Sequence, residues 1–279
     1  MNYKKLKDSI LIYDKENFNP QHILECGQVF SYKKLENKYI VYPKDKYAEI
    51  IEEKDFYKIN TKYVNFFEDY FDLKRDYSKI KEQLSKFRIL KKPIDFGFGI
   101  RILNQDVFET LISFIISANN NIKRIHMILD KMREKLGKKI QNNIYSFPTY
   151  EKLAKMDKEF FVEIGAGYRA EYLVKVLKQI NPMMLEEAAK FDTNKLRNFL
   201  ISLSGVGPKV ADCILLFGYN KEDVFPVDTW IHQMYNKYYP KLENRERIRN
   251  NLVKEFSNLS GYAQQYLFFY QRNEKKWLE

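Results

Sequence analysis

Cysteine is nearly absent: Cys26 and Cys213 are the only two in 279 residues. Two thiols cannot build a disulfide framework, and the neighbours of each do not complete a metal site. No stretch is rich enough in glycine and proline to read as a low-complexity linker, and no segment recurs at a fixed period. No apolar run is long enough to cross a membrane. The opening Met1-Asn2-Tyr3-Lys4-Lys5 leads into charge rather than into the apolar core of a signal peptide. Acidic residues are outnumbered, 37 against 48 lysines and arginines, which leaves a net charge of +11. These features predict a soluble intracellular chain with no membrane partner. A basic balance favours a polyanion, nucleic acid first, although lysine-rich composition also follows from genome bias.

The length suffices for one large domain or two of moderate size. Up to about residue 92, short alternating runs dominate. Val29-Phe30-Ser31-Tyr32-Lys33, Tyr39-Ile40-Val41-Tyr42, Tyr47-Ala48-Glu49-Ile50-Ile51 and Phe56-Tyr57-Lys58-Ile59 predict a small antiparallel sheet. Helices are predicted over 63–73 and 77–87. From Pro93 onward helical spacing takes over. The segment Val107 to Ile116 is apolar on nearly every face, as a helix at the centre of a bundle must be. Further helices are expected over 125–136, from Pro148, and over 170–180, 184–191, 231–238, 245–256 and 262–272, with Thr193 capping the helix that precedes residue 203. The fold class is therefore α+β, a small N-terminal antiparallel sheet domain (1–95) packed on a mainly helical domain (96–279).

The most informative stretch is Leu203-Ser204-Gly205-Val206-Gly207-Pro208-Lys209-Val210-Ala211-Asp212-Cys213. Gly205 and Gly207 permit a tight hairpin with unusual backbone angles. Pro208 suits the first turn of a helix, where its missing N–H costs nothing. Amides left free at a glycine turn and helix start suit a phosphate oxygen, with Lys209 at the mouth. Lys209 reads two ways: as a phosphate contact, or as a nucleophile whose amine is made neutral by burial and by the positive end of the helix. Asp228, just after Phe225-Pro226-Val227, reads as a helix cap or as a carboxylate that stabilises developing positive charge, and the roles are compatible. Two further stretches present polar tips. Ser117-Ala118-Asn119-Asn120-Asn121-Ile122-Lys123-Arg124 follows the buried helix, and Gly165-Ala166-Gly167-Tyr168-Arg169-Ala170 sets an aromatic and an arginine after a glycine turn. Each is also compatible with an ordinary helix corner.

The hairpin and Asp228 together resemble the helix-hairpin-helix–Gly-Pro-Asp superfamily of DNA base-excision glycosylases, in which a lysine at this hairpin position marks the lyase-competent branch. Adding 117–125, Gly167-Tyr168-Arg169-Ala170, Gly261-Tyr262-Ala263-Gln264 with Leu267-Phe268, and Gly27-Gln28-Val29-Phe30, the chain resembles the 8-oxoguanine DNA glycosylase/AP lyase family from about residue 26 to 268. The resemblance implies a bifunctional enzyme acting on double-stranded DNA that contains 8-oxoguanine opposite cytosine. Lys209 would displace the base and form a Schiff base, with Asp228 stabilising the sugar cation. The Gly27 carbonyl would accept the N–H at N7 of the lesion, Phe268 and Cys213 would sandwich the base, and Gln264 would bond its Watson–Crick edge. Asn119 would fill the gap in the duplex, Arg124 and Arg169 would read the opposite cytosine, Tyr168 would buckle the stack, and Gly205 and Gly207 would meet the backbone. The iron–sulfur cluster of some superfamily members needs four cysteines, which this chain lacks. No cofactor or catalytic metal is implied, the hairpin carbonyls offering at most a place for a structural cation. The expected state is a monomer, cytoplasmic and nucleoid-associated if the source is prokaryotic.

Four positions depart from the family pattern. Ser31-Tyr32 follow Phe30 where Arg-Trp is common, Trp230 stands where animal and fungal members have histidine, and Gln271 replaces that histidine's acidic partner. An indole donates one hydrogen bond but cannot titrate, so any tuning by that pair is altered here. The alternatives are a monofunctional glycosylase for another damaged base, a non-catalytic hairpin DNA-binding protein, and a structural helical protein. Lys209 with Gly27 argues against the first, Asp228 with Gln264 and Phe268 against the second, and the ordered motif series against the third.

Overall fold

Alternation along Ser9–Ile12 puts Ile10 and Ile12 on one face, fully buried, and in the paired Tyr57–Asn60 it is Tyr57 and Ile59 that are buried. That pattern, repeated strand by strand, builds the first half of the chain. In the computed structural model, which describes residues 1–274, six strands run β1 Tyr3–Lys5, β2 Ser9–Ile12, β3 Tyr32–Lys34, β4 Lys38–Val41, β5 Ala48–Glu52 and β6 Tyr57–Asn60. Every pairing is antiparallel, in the order β1-β2-β6-β5-β4-β3. The two N-terminal strands are absent from the sequence prediction because Tyr3–Lys5 is short and mostly exposed, with no alternation to betray it. The predicted strand at Val29 begins later, at Tyr32; Val29 and Phe30 are buried in the preceding loop.

The helices are α1 Pro20–Leu24, α2 Val64–Tyr70, α3 Tyr77–Leu84, α4 Lys91–Phe96, α5 Val107–Ser117, α6 Ile122–Leu136, α7 Tyr150–Leu153, α8 Lys158–Glu163, α9 Arg169–Gln179, α10 Pro182–Ala188, α11 Thr193–Ile201, α12 Pro208–Gly218, α13 Thr229–Tyr238, α14 Arg245–Phe256 and α15 Ser260–Glu274. A two-stranded ribbon, β7 Lys139–Gln141 and β8 Ile144–Tyr145, joins α6 to α7. Helix α5 is buried at every position from Glu109 to Ile116, as its all-round apolarity requires. Asp192, not Thr193, caps α11: its carboxylate accepts from Lys195 N at 2.9 Å, while Thr193 Oγ1 donates to Asp223. A carboxylate one residue earlier reaches the third amide better than a threonine already inside the helix.

Two cores form. One lies under the sheet and takes in Leu103; the other fills the helical array and takes in Cys26, Phe30, Tyr77, Ile80, Leu84 and Leu90 from the N-terminal part. Arg101, fully buried, is the rivet between them. Its guanidinium donates to the carbonyls of Phe71 (2.9 Å), Asn17 (3.0 Å), Arg75 (3.0 Å) and Asp72, and lies 4.0 Å from the Tyr77 ring centroid. Four carbonyls around one guanidinium satisfy a charge that would otherwise be prohibitive to bury.

Candidate active site

The chain between Leu203 and Lys209 turns because Gly205 adopts φ +82°, a conformation that L side chains rarely take. A side chain there would also strike Tyr172, whose Cβ lies 2.8 Å from the position of the missing methyl. Gly207 differs from expectation: its φ is an ordinary −86°, and nothing stands within 4 Å of where its Cβ would be. Its lack of a side chain keeps open space in front of the helix start. Gly207 gives α12 no side-chain cap, whereas Asp192 and Asp228 cap the helices on either side.

Lys209, in the first turn of α12, turns away from that open space into the interior. Its Nζ lies 5.4 Å from the Phe114 ring centroid, and Cys213, one turn along the helix, acts on its charge. The capping Asp228 of α13 faces the same amine. Its Oδ1 accepts from Ile231 N at 2.9 Å. Burial raises the Asp228 carboxyl above the usual range, against the lowering effects of the Ile231 amide and the Lys209 ammonium. The Cys213 thiol is pushed up to about 11 by burial, Lys209 opposing. Lys209 itself does not show the depressed pKa expected from sequence. Burial pulls it down most, but Cys213 and Asp228 together hold it above its ordinary value. Counting the helix end and the apolar surroundings alone left out two acidic groups, Cys213 one turn along the same helix and Asp228, which the fold brings from α13.

Gly27 is also left-handed, at φ +86°. A Cβ there would sit 3.1 Å from Phe268 Cε1 and 3.1 Å from Arg272 Nη1, so only glycine lets the loop approach α15 this closely. Two glutamines that the sequence reading did not single out fix the loop. Gln28, fully buried, donates to Ile23 O (2.9 Å) and Arg101 O (2.7 Å) and accepts from Leu103 N (2.9 Å). Gln265 reaches over from α15 to donate to Cys26 O at 2.9 Å. Gln264, its neighbour, is buried, and its Oε1 has no hydrogen-bond partner among the described residues. Phe268 packs, partly exposed, against the helical core that contains Cys213. Arg272, also missed, donates through Nη2 to Glu25 O, and its guanidinium carbon lies 5.3 Å from the Phe268 ring centroid. Burial lowers its pKa, while Asp228 is among the acids that oppose the shift, so its charge is felt at the lysine–aspartate pair. A single arginine near a chain end carries no sequence signal; only the four-residue spacing from Gln264 and Phe268 hints at it.

The polar tips meet on the neighbouring surface. Asn119 is exposed and left-handed at φ +49°. Tyr168 is 57% exposed, and its hydroxyl lies 3.4 Å from Ala118 O. Arg124, exposed, donates to Gly165 O at 3.2 Å. Arg169 differs from its neighbours: it is buried, its Nε donating to Ala118 O at 2.8 Å and its Nη2 to Asn119 O at 2.6 Å. It holds the Asn119 turn from beneath. Tyr172 touches the hairpin at Gly205 and the ring of Tyr168, 6.1 Å between centroids, so hairpin and tips form one continuous face.

A helical hairpin with a lysine turned inward, a capping aspartate facing it and a glycine loop close against α15 define a helix-hairpin-helix base-excision repair protein. A family model described as the HhH-GPD superfamily base excision DNA repair protein matches residues 112–258, and one described as the 8-oxoguanine DNA glycosylase N-terminal domain matches residues 10–111. The chain belongs to the 8-oxoguanine DNA glycosylase family of that superfamily. The Clostridium acetobutylicum 8-oxoguanine glycosylase/lyase, solved in complex with double-stranded DNA containing cytosine opposite 8-oxoguanine, superposes with a TM-score of 0.92 at 39% identity over 99% of both chains. A probable N-glycosylase/DNA lyase of Methanothermobacter thermautotrophicus is 31% identical over 72% of this chain and 72% of its own length. The N-glycosylase/DNA lyase of Saccharomyces cerevisiae is 32% identical over 61% of this chain, a match that spans only 56% of the yeast protein. Among the described residues no helix is long and apolar enough to cross a membrane.

Proposed function

We propose that this protein flips 8-oxoguanine out of duplex DNA, removes it, and cleaves the strand at the abasic sugar. The observation that carries the reading is the inward-facing Lys209 between Cys213 and Asp228. A phosphate-binding lysine would extend from the hairpin toward solvent; this one is withdrawn beneath it.

The reaction begins when the flipped nucleotide enters between Cys213 of α12 and Phe268 of α15, beside Gly27. The neutral Lys209 amine attacks C1′ and the bond from C1′ to N9 breaks, its electron pair leaving with the base. The Asp228 carboxylate stabilises the positive charge that builds on the sugar. One amine proton passes to the departing base, and the second passes to O4′ as the ring opens to the Schiff base. Loss of a C2′ proton then expels the 3′ phosphate by β-elimination. The Gly27 carbonyl accepts the N–H at N7, which guanine lacks. A normal guanine would place a lone pair against that buried carbonyl. Cys213 and Phe268 hold the base between them, and the Gln264 side chain meets its Watson–Crick edge.

Gly205 and Gly207 bring the uncapped start of α12 to a backbone phosphate. Asn119 fills the vacated position, Tyr168 wedges beside it, and Arg124 reads the opposite cytosine. Arg169 joins that reading only by releasing the carbonyls it holds in the free protein. The test is strand incision on duplexes carrying 8-oxoguanine opposite each of the four bases, without added alkali. The reading predicts incision with cytosine favoured. Excision leaving an intact strand would assign a monofunctional enzyme, and binding with no excision a plain DNA-binding protein.

A further inference from the structure

Gln264, Phe268 and Arg272 stand four residues apart on α15 and so share one helix face. In the proposed reading the middle residue is the platform for the flipped base. The outer two each hold a buried polar atom with no hydrogen-bond partner among the described residues: an acceptor, Gln264 Oε1, and a donor, Arg272 Nη1. Buried polar atoms are seldom left unpaired, so two on one stripe, one at each side of a platform, point to something that arrives later. Arg272 is already fixed in place. Its Nη2 is bonded to Glu25 O, its guanidinium carbon lies 5.3 Å from the centre of the Phe268 ring, and its Nη1 lies 3.1 Å from where a Gly27 methyl would be. Donor, ring and glycine loop therefore converge on one corner of the pocket.

The two edges of an oxidised guanine differ in the same sense. Its Watson–Crick edge offers donors, N1–H and the amino group. Its other edge carries N7–H flanked by carbonyl oxygens at C6 and C8. An acceptor at one end of the stripe and a donor at the other match these edges in order.

We propose that Arg272 is a specificity-determining residue whose Nη1 donates to a carbonyl oxygen flanking N7 of the flipped 8-oxoguanine, beside the Gly27 carbonyl. The inference rests on the reading that this base is the substrate. It makes recognition of the N7 edge a two-point contact, one acceptor and one charged donor. Charge-assisted hydrogen bonds in a dry site are the strong ones, so the contact bears on rate as well as on selection.

The test compares two reactions of the same protein: single-turnover excision from an 8-oxoguanine·cytosine duplex, and cleavage of a pre-formed abasic site in that duplex. The abasic substrate has no base, so a contact to the base cannot affect it. A loosened fold would affect both, and a Gly27 loop freed from its tether at Glu25 would lower the melting temperature, which is measured alongside. Arg272→Met is expected to slow excision about tenfold or more relative to abasic-site cleavage, with Arg272→Lys between it and wild type. Equal losses in the two reactions, or no loss of excision, overturn the assignment. Wild-type protein that cleaves the abasic site but leaves 8-oxoguanine untouched would show instead that the substrate is misassigned, and the role of Arg272 falls with it.

Discussion

Asp228 carries two demands on one carboxylate, capping α13 and facing Lys209, and the two are separable by substitution. Its pKa is raised by burial, so the fold holds the protonated form better than the unfolded chain does. That stabilising contribution is fully present below the unfolded value of about 3.9 and is lost as pH rises through the folded value. At neutral pH the ionised carboxylate therefore weighs against the fold. Asp228→Asn keeps an oxygen for the Ile231 amide and removes the charge. It is expected to melt no lower than wild type at neutral pH while losing most excision activity. Asp228→Ala also removes the cap and is expected to cost about 1 kcal/mol. Thermal melts beside a single-turnover assay check both; full activity in Asp228→Asn would remove the carboxylate from the chemistry. Lys209 gives the second prediction at this scale. With its pKa held above the ordinary lysine value, the neutral fraction grows with pH. Single-turnover excision should rise from about pH 6 toward about pH 9, and a flat profile would contradict an amine nucleophile.

The hairpin joining α11 to α12 shows at the level of an element what one glycine can and cannot mean. Gly205→Ala combines a positive φ with a clash at Tyr172 and is expected to cost about 1–3 kcal/mol of stability. Gly207→Ala meets open space and an ordinary φ, so stability should change by no more than about 0.5 kcal/mol, while affinity for duplex DNA falls. Denaturant melts and DNA titrations distinguish the pair; a large stability loss at Gly207 would contradict the structure. In sequence the two glycines look alike, and only the backbone separates them. The same limit governs Lys209. Its position at a buried helix start and its i, i+4 spacing to Cys213 are legible in sequence, but Asp228, on another helix, is brought to it by packing. The apolar run of α5 and the sheet's alternation are legible because periodicity is a local property. Strand β1 is not, being held by register with β2 rather than by its own pattern.

For the whole molecule, the proposed base site draws on both cores. The Gly27 loop is held by Gln28 against Arg101 and Leu103 and by Gln265 from α15. Arg101 in turn ties the segment 71–75 and Asn17 together. Removing its guanidinium by Arg101→Met leaves buried carbonyls unpaired, and the expected loss is about 3 kcal/mol or more, with the Gly27 loop disordered along with it. Calorimetry is the check; an unchanged melting temperature would show that the cores do not depend on this contact. Sequence analysis located Gly27, Phe268 and Gln264 through motifs. The residues that position them, Gln28, Gln265, Arg101 and Arg272, act mostly through contacts that span 26 to 247 residues of chain, so these roles leave no local pattern.

The most direct test of the whole account is borohydride trapping on a duplex carrying 8-oxoguanine opposite cytosine, run with wild type and Lys209→Gln. The account predicts a covalent protein–DNA adduct with wild type alone. An equal adduct with Lys209→Gln would place the reacting amine elsewhere and contradict the role given to the hairpin lysine.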